Sequence, residues 1–454
     1  MSPLRATLRA RGIEAPLRLA GALTLDALAA TGALADHFGG TERRERRRAA
    51  RRSARLQRWV RVAGALKGAF AKAGQFASLR YDVLDPEARA ALDSLQDRVP
   101  PLPFETIRRC LERELGGALD AHFSELEEQP IGAASIAQVH AGRLLDGTPV
   151  AVKVLYPWIE AAMPHDLRLL RRALRRLVRG ADDFDRLFGE FADGLARELD
   201  FELEARSARA IAANLSNQPG VIVPTIFDAQ STRRVLTMSR HDGHRIDDTD
   251  AFDARGIERR RIVEILAHAY GQQVFADGLF HADPHPGNLF LVAPSASDTL
   301  DAEPPRVLFV DFGLCKQLEP ALRQALREAI LALLQKDPSA FVDRMDQMGM
   351  IAAGARPLVE QRVVGMFERI TGAGGALVLS GGQVLGIKDE AKQLLANTPG
   401  LQLPNDLLLY ARTLSYLFAL CERIEPNVDV MKISVPFLLK FLAQREAPAP
   451  DTAA

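Results

Sequence analysis

Apolar residues near the start of the chain recur at helical spacing, in an Ala/Leu-rich stretch over residues 1–40 and again at Phe104–Leu115, so helix is expected there. The stretch at 92–99 is expected to end a helix at Pro100 and Pro101. Around Pro130 the period changes. A run of small residues leads into alternating ones up to His140, Asp146-Gly147 is a turn signal, and Pro149–Leu155 (PVAVKVL) is rich in β-formers, which together predict a hairpin. Helical spacing resumes at 165–179 and then, as one longer helix, at 184–215. Residues 221–224 and 234–238 read as strands, and the polar 239–243 that follows is the place for a hinge. Beyond it helices are expected at 257–276, Pro320–Gln335, 338–348, 357–370, 388–395 and Asn405–Ile424. Two β-rich runs, 288–292 and 306–310, interrupt them, with a polar insert at 293–305 between.

Composition adds a compartment and a surface. With 454 residues, 47% of them hydrophobic and 26% charged, the chain can bury a sizeable core. The formal net charge is zero, which gives no general reason to expect a nucleic-acid partner. That zero conceals an asymmetry, since residues 1–62 hold fourteen arginines and no lysine. The block at 42–61 (ERRERRRAARRSARLQRWVR) reads as a solvated helix face, as a surface for anionic lipid headgroups or, as the last choice, as a nucleic-acid contact. Three widely separated cysteines suggest a reducing, cytoplasmic compartment. No transmembrane helix is expected, because the apolar runs at 407–421 and 435–442 are short or interrupted by Arg412 and Lys440. Arg18 and Asp26 likewise interrupt any secretory signal core. The chain is therefore divided into an N-terminal helical extension at 1–125, a β-rich part at 126–242, a helical part at 243–446 and a disordered tail at 447–454.

Candidate chemistry concentrates in His281-Ala282-Asp283-Pro284-His285-Pro286-Gly287-Asn288. Asp283 and Asn288 have the D-x-x-x-x-N spacing of a kinase-type loop, in which Asp orients an acceptor and Asn holds Mg²⁺. The strand at 306–310 delivers Asp311-Phe312-Gly313, a second metal ligand. Lys153 interrupts an otherwise apolar strand, where a lysine is costly unless paired. Upstream, Lys72, Gln75 and Ser78 would share one helix face. On a continuous helix Glu198 and Glu204 lie about 600° apart and cannot share a face, whereas Asp200 and Glu204 can. Two carboxylate sets with different aims suggest two partners, and Lys72 and Lys153 are the lysines that need them. A rival reading makes His281, Asp283 and His285 zinc ligands, but no further cluster completes such a site, and His285 between two prolines reads as a brace for the loop.

The order of strand lysine, acidic helix, two strands, hinge, helix, Asp…Asn loop, β-pair and DFG is that of a kinase fold. With KAGQFASLR, LQDRVPP, PIGAASIAQVH, VAVKV, ELDFELEA, HADPHPGN and DFG in sequence, the chain resembles the UbiB/ADCK/AarF family of atypical kinases. That resemblance implies an α+β, two-lobed protein-kinase-like fold, with a small β-rich N-lobe, a helical C-lobe and an N-terminal helical extension. It implies ATP and Mg²⁺ as cofactors, with Lys153 on the phosphates and Glu204 as its partner. Ala133, Ala134 and Ser135 would form the alanine-rich loop over the nucleotide, Asp283 would be the catalytic-loop aspartate, and Asn288 and Asp311 the Mg²⁺ ligands. Lys72 and Gln75 would belong to the family's K-x-G-Q element, folded over the active site and meeting Glu198 and Asp200. A helix there would block a polypeptide acceptor and favour ATP hydrolysis or a small or lipid-like acceptor, in the family's case linked to ubiquinone. The rivals are a nucleotide-gated lipid- or protein-binding module and a phosphotransferase of the aminoglycoside/choline type. Ala282 stands where conventional kinases carry the arginine of H-R-D.

Overall fold

The computed structural model describes residues 101–175, 181–292, 304–372 and 397–444, together with residues 21, 24, 68–70, 72, 394 and 395. The arginine block, Gln75, Ser78, most of the polar insert, the start of the helix expected at 388–395 and the tail lie outside the described residues. The described residues form two compact units. One comprises those up to Ala205 together with Thr225–Arg240, and the other Arg206–Pro224 together with His241 onward.

The first unit is built on an antiparallel sheet of order β1-β2-β3-β5, with β1 at Phe123–Ala133, β2 at Ala137–Leu144, β3 at Pro149–Leu155 and β5 at Val235–Ser239. The β2–β3 turn forms because Gly147 takes a φ of 86° and the Asp146 carboxylate accepts the Thr148 amide at 2.9 Å. Alternation along β3 sends its residues to opposite faces. Val150, Val152 and Val154 are fully buried on one face, against Ile107, Cys110 and Leu111 of helix α1 (Phe104–Leu115). Each such aliphatic side chain contributes about 1.5–3 kcal/mol on burial. Lys153 is set by the same alternation towards the other face, over the Phe201 ring. Residue 125 lies within β1, so the strand begins upstream of the period change near Pro130.

Three helices complete this part of the chain: α2 (Ile159–Arg175), α3 (Ala181–Glu198) and α4 (Phe201–Asn214). The single helix expected at 184–215 is thus two. The break is at Leu199 and Asp200, where the Asp200 carboxylate turns back to accept the Glu202 and Leu203 amides at 3.0 and 3.2 Å. An aspartate offered as an N-cap outweighs the helical propensity of its neighbours.

The second unit carries a sheet of order β4-β9-β8-β6, in which β4 (Val221–Ile222) runs parallel to β9 (Arg306–Phe309), and β8 (Leu289–Val292) lies between β9 and β6 (His244–Arg245). A second pair joins β7 (Leu279–His281) to β10 (Cys315–Gln317). Helix α5 (Thr249–Asp253) precedes α6 (Arg259–Gly271), which continues as a π-helix at Gln272–Asp277. Where one uninterrupted helix to 276 was expected, the widened turn brings Gln273 inward. Helices α7 (Pro320–Gln335), α8 (Pro338–Gln347), α9 (Arg356–Gly372), α10 (Asn405–Ile424) and α11 (Val430–Ala443) follow. None of the described helices is long and apolar enough to cross a membrane.

Candidate active-site halves

In the first unit, the Lys153 ammonium donates to both Glu204 carboxylate oxygens, at 2.7 and 2.9 Å. The pair is almost fully buried, with 11% and 4% side-chain exposure. The break before α4 makes it possible, because it resets the helical phase and lets Glu204 turn towards β3 while Glu198 ends α3. Glu198 meets a different lysine, Lys72, at 2.6 Å. Asp200 caps α4 and lies 3.5 Å from the Arg233 guanidinium. The two lysines thus have separate carboxylates.

The alanine-rich loop between β1 and β2 is held at both ends. The Ala134 carbonyl accepts the Tyr156 hydroxyl at 2.9 Å and the Ser135 carbonyl accepts the Gly68 amide at 2.9 Å. Gly68, which touches the loop, and Lys72, which meets Glu198, are both helical and four positions apart in the chain. Beneath the hairpin is a buried polar network that sequence reasoning did not single out. Gln138 bridges the backbone of Leu102, and His140 contacts Gln138 at 2.9 Å and the Glu127 carbonyl at 2.8 Å. With Nδ1–H donating to that carbonyl and Nε2 accepting from the amide, the ring is neutral, and burial holds its pKa below the usual imidazole value.

In the second unit, the 281–288 loop is fastened by its first and last residues. His281 Nε2 lies 3.1 and 3.0 Å from the Val310 and Asp311 carbonyls, so it carries the proton and donates to both. The His281 amide donates to Gln273 Oε1 at 2.9 Å. This is the use of the residue that the π-helix turned inward. His285 Nδ1 accepts the Gly287 amide at 3.1 Å, a brace inside the loop as its flanking prolines suggested. Among the described residues no group of three or more His, Cys, Asp or Glu is placed to hold a metal ion.

Asn288 Nδ2 donates to the Asp283 carboxylate at 2.9 Å and to its carbonyl at 3.2 Å. That fixes the amide's orientation and leaves its oxygen as the group available to a cation. The Asn288 carbonyl accepts the Val310 amide at 3.0 Å, which sets Asn288 and Asp311 at the same end of the β8–β9 ladder. Asp311 is one of two described non-glycine residues with positive φ, at 60°, a conformation costing about 1–2 kcal/mol. Two hard oxygen donors, with phosphate oxygens and water supplying the rest, suit Mg²⁺.

The other Asp283 oxygen accepts from Arg412 of α10 at 3.2 Å, and Thr413 of the same helix donates to the Ala282 carbonyl at 3.1 Å. Arg412 was legible in the sequence only as an interruption of an apolar run. Nothing local links it to a loop 129 residues earlier.

A lysine–glutamate pair on a small antiparallel sheet, with an Asp/Asn loop and an aspartate after a strand in a helical unit, defines a protein-kinase-like chain. Residues 94–345 match the ABC1 atypical kinase-like domain, and the chain belongs to that family. It is 31% identical over 411 residues to "Protein ACTIVITY OF BC1 COMPLEX KINASE 8, chloroplastic" of Arabidopsis thaliana, covering 83% of this chain and 53% of that one. It is 30% identical over 394 residues to "Probable protein kinase UbiB" of Marinobacter nauticus, covering 84% of this chain and 69% of that one. The chain therefore spans about half the length of the first relative and about two thirds of the second. Among solved structures it resembles Rv3197 of Mycobacterium tuberculosis, determined in complex with erythromycin, with a TM-score of 0.55, 25% identity and coverage of 84% and 95% of the two chains. The expected α+β kinase-like fold is thereby shown.

Proposed function

We propose that the chain binds an adenine nucleotide with Mg²⁺ and either hydrolyses ATP slowly or transfers its terminal phosphoryl group to a small or lipid-like acceptor. The observation that carries this reading is the buried, two-oxygen Lys153–Glu204 pair. Burying a charge pair on a strand is a poor route to stability, since apolar residues of similar volume serve as well or better. Its chemical use is to hold a lysine rigid and charged for phosphate oxygens.

The remaining residues fit supporting roles. Ala133, Ala134 and Ser135 would cover the phosphates, with Tyr156 and Gly68 holding the loop. Asn288 and Asp311 would hold Mg²⁺, which supplies charge neutralisation at the phosphates. Asp283 would orient the attacking hydroxyl or water and accept its proton. Gly68 on the Ser135 carbonyl and Lys72 on Glu198 support a small acceptor over a polypeptide, because they take up space beside the nucleotide loop.

Phosphate release from Mg-ATP tests the reading, with and without liposomes to distinguish a lipid acceptor. Asp283→Asn should lower turnover by about 100-fold or more while nucleotide binding is retained. Turnover equal to wild type in that variant would sink the assignment.

A further inference from the structure

Helix α10 touches the catalytic loop through residues that sit almost side by side. Tyr410 packs edge-on against Phe280 at 5.7 Å, Thr413 Oγ1 donates to the Ala282 carbonyl at 3.1 Å, and Arg412 donates to Asp283 Oδ1 at 3.2 Å. The same hydroxyl lies 2.8 Å from the Leu409 carbonyl of its own helix, so its single proton is shared between the two carbonyls and the side chain is held in place. The helix start is pinned as well, through Asp406 and Lys316 of β10 at 2.7 Å.

Arg412 is the unusual member. It is 5% exposed, its guanidinium lies over the Tyr416 ring at 5.1 Å, and its Nε and Nη1 are buried without a hydrogen-bond partner. A fold seeking only stability would place an apolar side chain here, since a buried guanidinium with unmet donors is costly. What the arginine provides is a cation on one Asp283 oxygen while Asn288 holds the other. The carboxylate is thus fixed on both sides, its plane set by two residues from different elements.

We propose that Arg412 is a positioning residue for Asp283, supplying from helix α10 the guanidinium that Ala282 does not provide in the loop. The inference rests on the reading of Asp283 given above. Arg412 acts through that carboxylate and through the rigidity of the 281–288 loop, not on the substrate.

The test compares Arg412→Met and Arg412→Lys with wild type in the full chain. Arg412→Met should lower kcat by roughly 100-fold, the order expected when a reacting group is misplaced by about an ångström. KM for Mg-ATP should stay within about twofold and Tm should not fall, while Arg412→Lys should recover several-fold of the lost kcat. In parallel, hydrogen exchange at the 281–288 amides should rise about tenfold in Arg412→Met, with the rest of the protein unchanged. Unchanged kcat, or a drop in kcat that follows a drop in Tm without recovery by lysine, would overturn the proposal. If wild type and Asp283→Asn are equally inactive, the kinase reading fails separately, and the exchange measurement decides alone: unaltered loop exchange rejects the positioning role.

Discussion

Lys153 and Glu204 are 51 positions apart in the chain, yet the ammonium and the nearer carboxylate oxygen are 2.7 Å apart in the structure. Removing one partner of a buried pair is worse than removing both, because a desolvated charge is left behind. Glu204→Gln should therefore destabilise the fold by about 3 kcal/mol, whereas Lys153→Met with Glu204→Leu should come within about 1 kcal/mol of wild type and still lose nucleotide binding. Urea unfolding of the single and double variants, with a nucleotide-binding assay on each, checks both halves. That Lys153 needed a carboxylate was legible from one lysine in an apolar strand. Which carboxylate it takes came only from the family resemblance, which named Glu204; the local pattern was silent, because the choice depends on a helix break at Asp200 whose backbone-capping oxygen outweighs the helical spacing.

At the scale of elements, the β1–β2 hairpin is joined to the segment before α1 by the Gln138–His140 network. Since the folded protein keeps His140 neutral and its pKa is lowered from 6.5, the unfolded chain takes up a proton first as the pH drops. This contribution to stability is present in full above about pH 6.5 and is lost as pH falls from there towards the depressed folded value. The urea midpoint should accordingly be lower at pH 5.5 than at 7.5, and His140→Gln should flatten that dependence. His241, whose pKa is lowered chiefly by burial and secondarily by Arg306, should leave some of the slope in place. The same scale shows where periodicity fails. Phe104–Leu115, Pro320–Gln335 and Asn405–Ile424 form helices with the bounds their patterns predict. The π-turn at Gln272–Asp277 has no such signature, because its widened turn is stabilised by where Gln273 and Gly278 end up.

For the whole molecule, the excess of arginine in residues 1–62 and the net acidity of the rest make an electrostatic proposal natural. The chain should co-sediment with vesicles containing anionic lipid and not with neutral ones, and the binding should weaken steeply between low and physiological salt. Replacing the arginines at 43, 44, 46, 47 and 48 with glutamine should reduce it at about 1 kcal/mol per charge, as read from the vesicle partition coefficient. Salt-independent binding, or equal binding to neutral vesicles, would reject an electrostatic mode.

Family, fold class and the loop carrying Asp283 and Asn288 were determined by the sequence alone, since short-range spacing and the order of motifs are properties of the chain itself. The same holds for Lys153, whose position in an apolar strand signals an expensive burial. No local pattern selects the partners: the family resemblance named Glu204 for Lys153 and Glu198 with Asp200 for Lys72, the structure forms the Lys153–Glu204 and Lys72–Glu198 pairs, and tertiary structure alone supplied Arg412 for Asp283. Each of those pairings joins charges distant in sequence, and a distant charge is selected by packing, which no local pattern records.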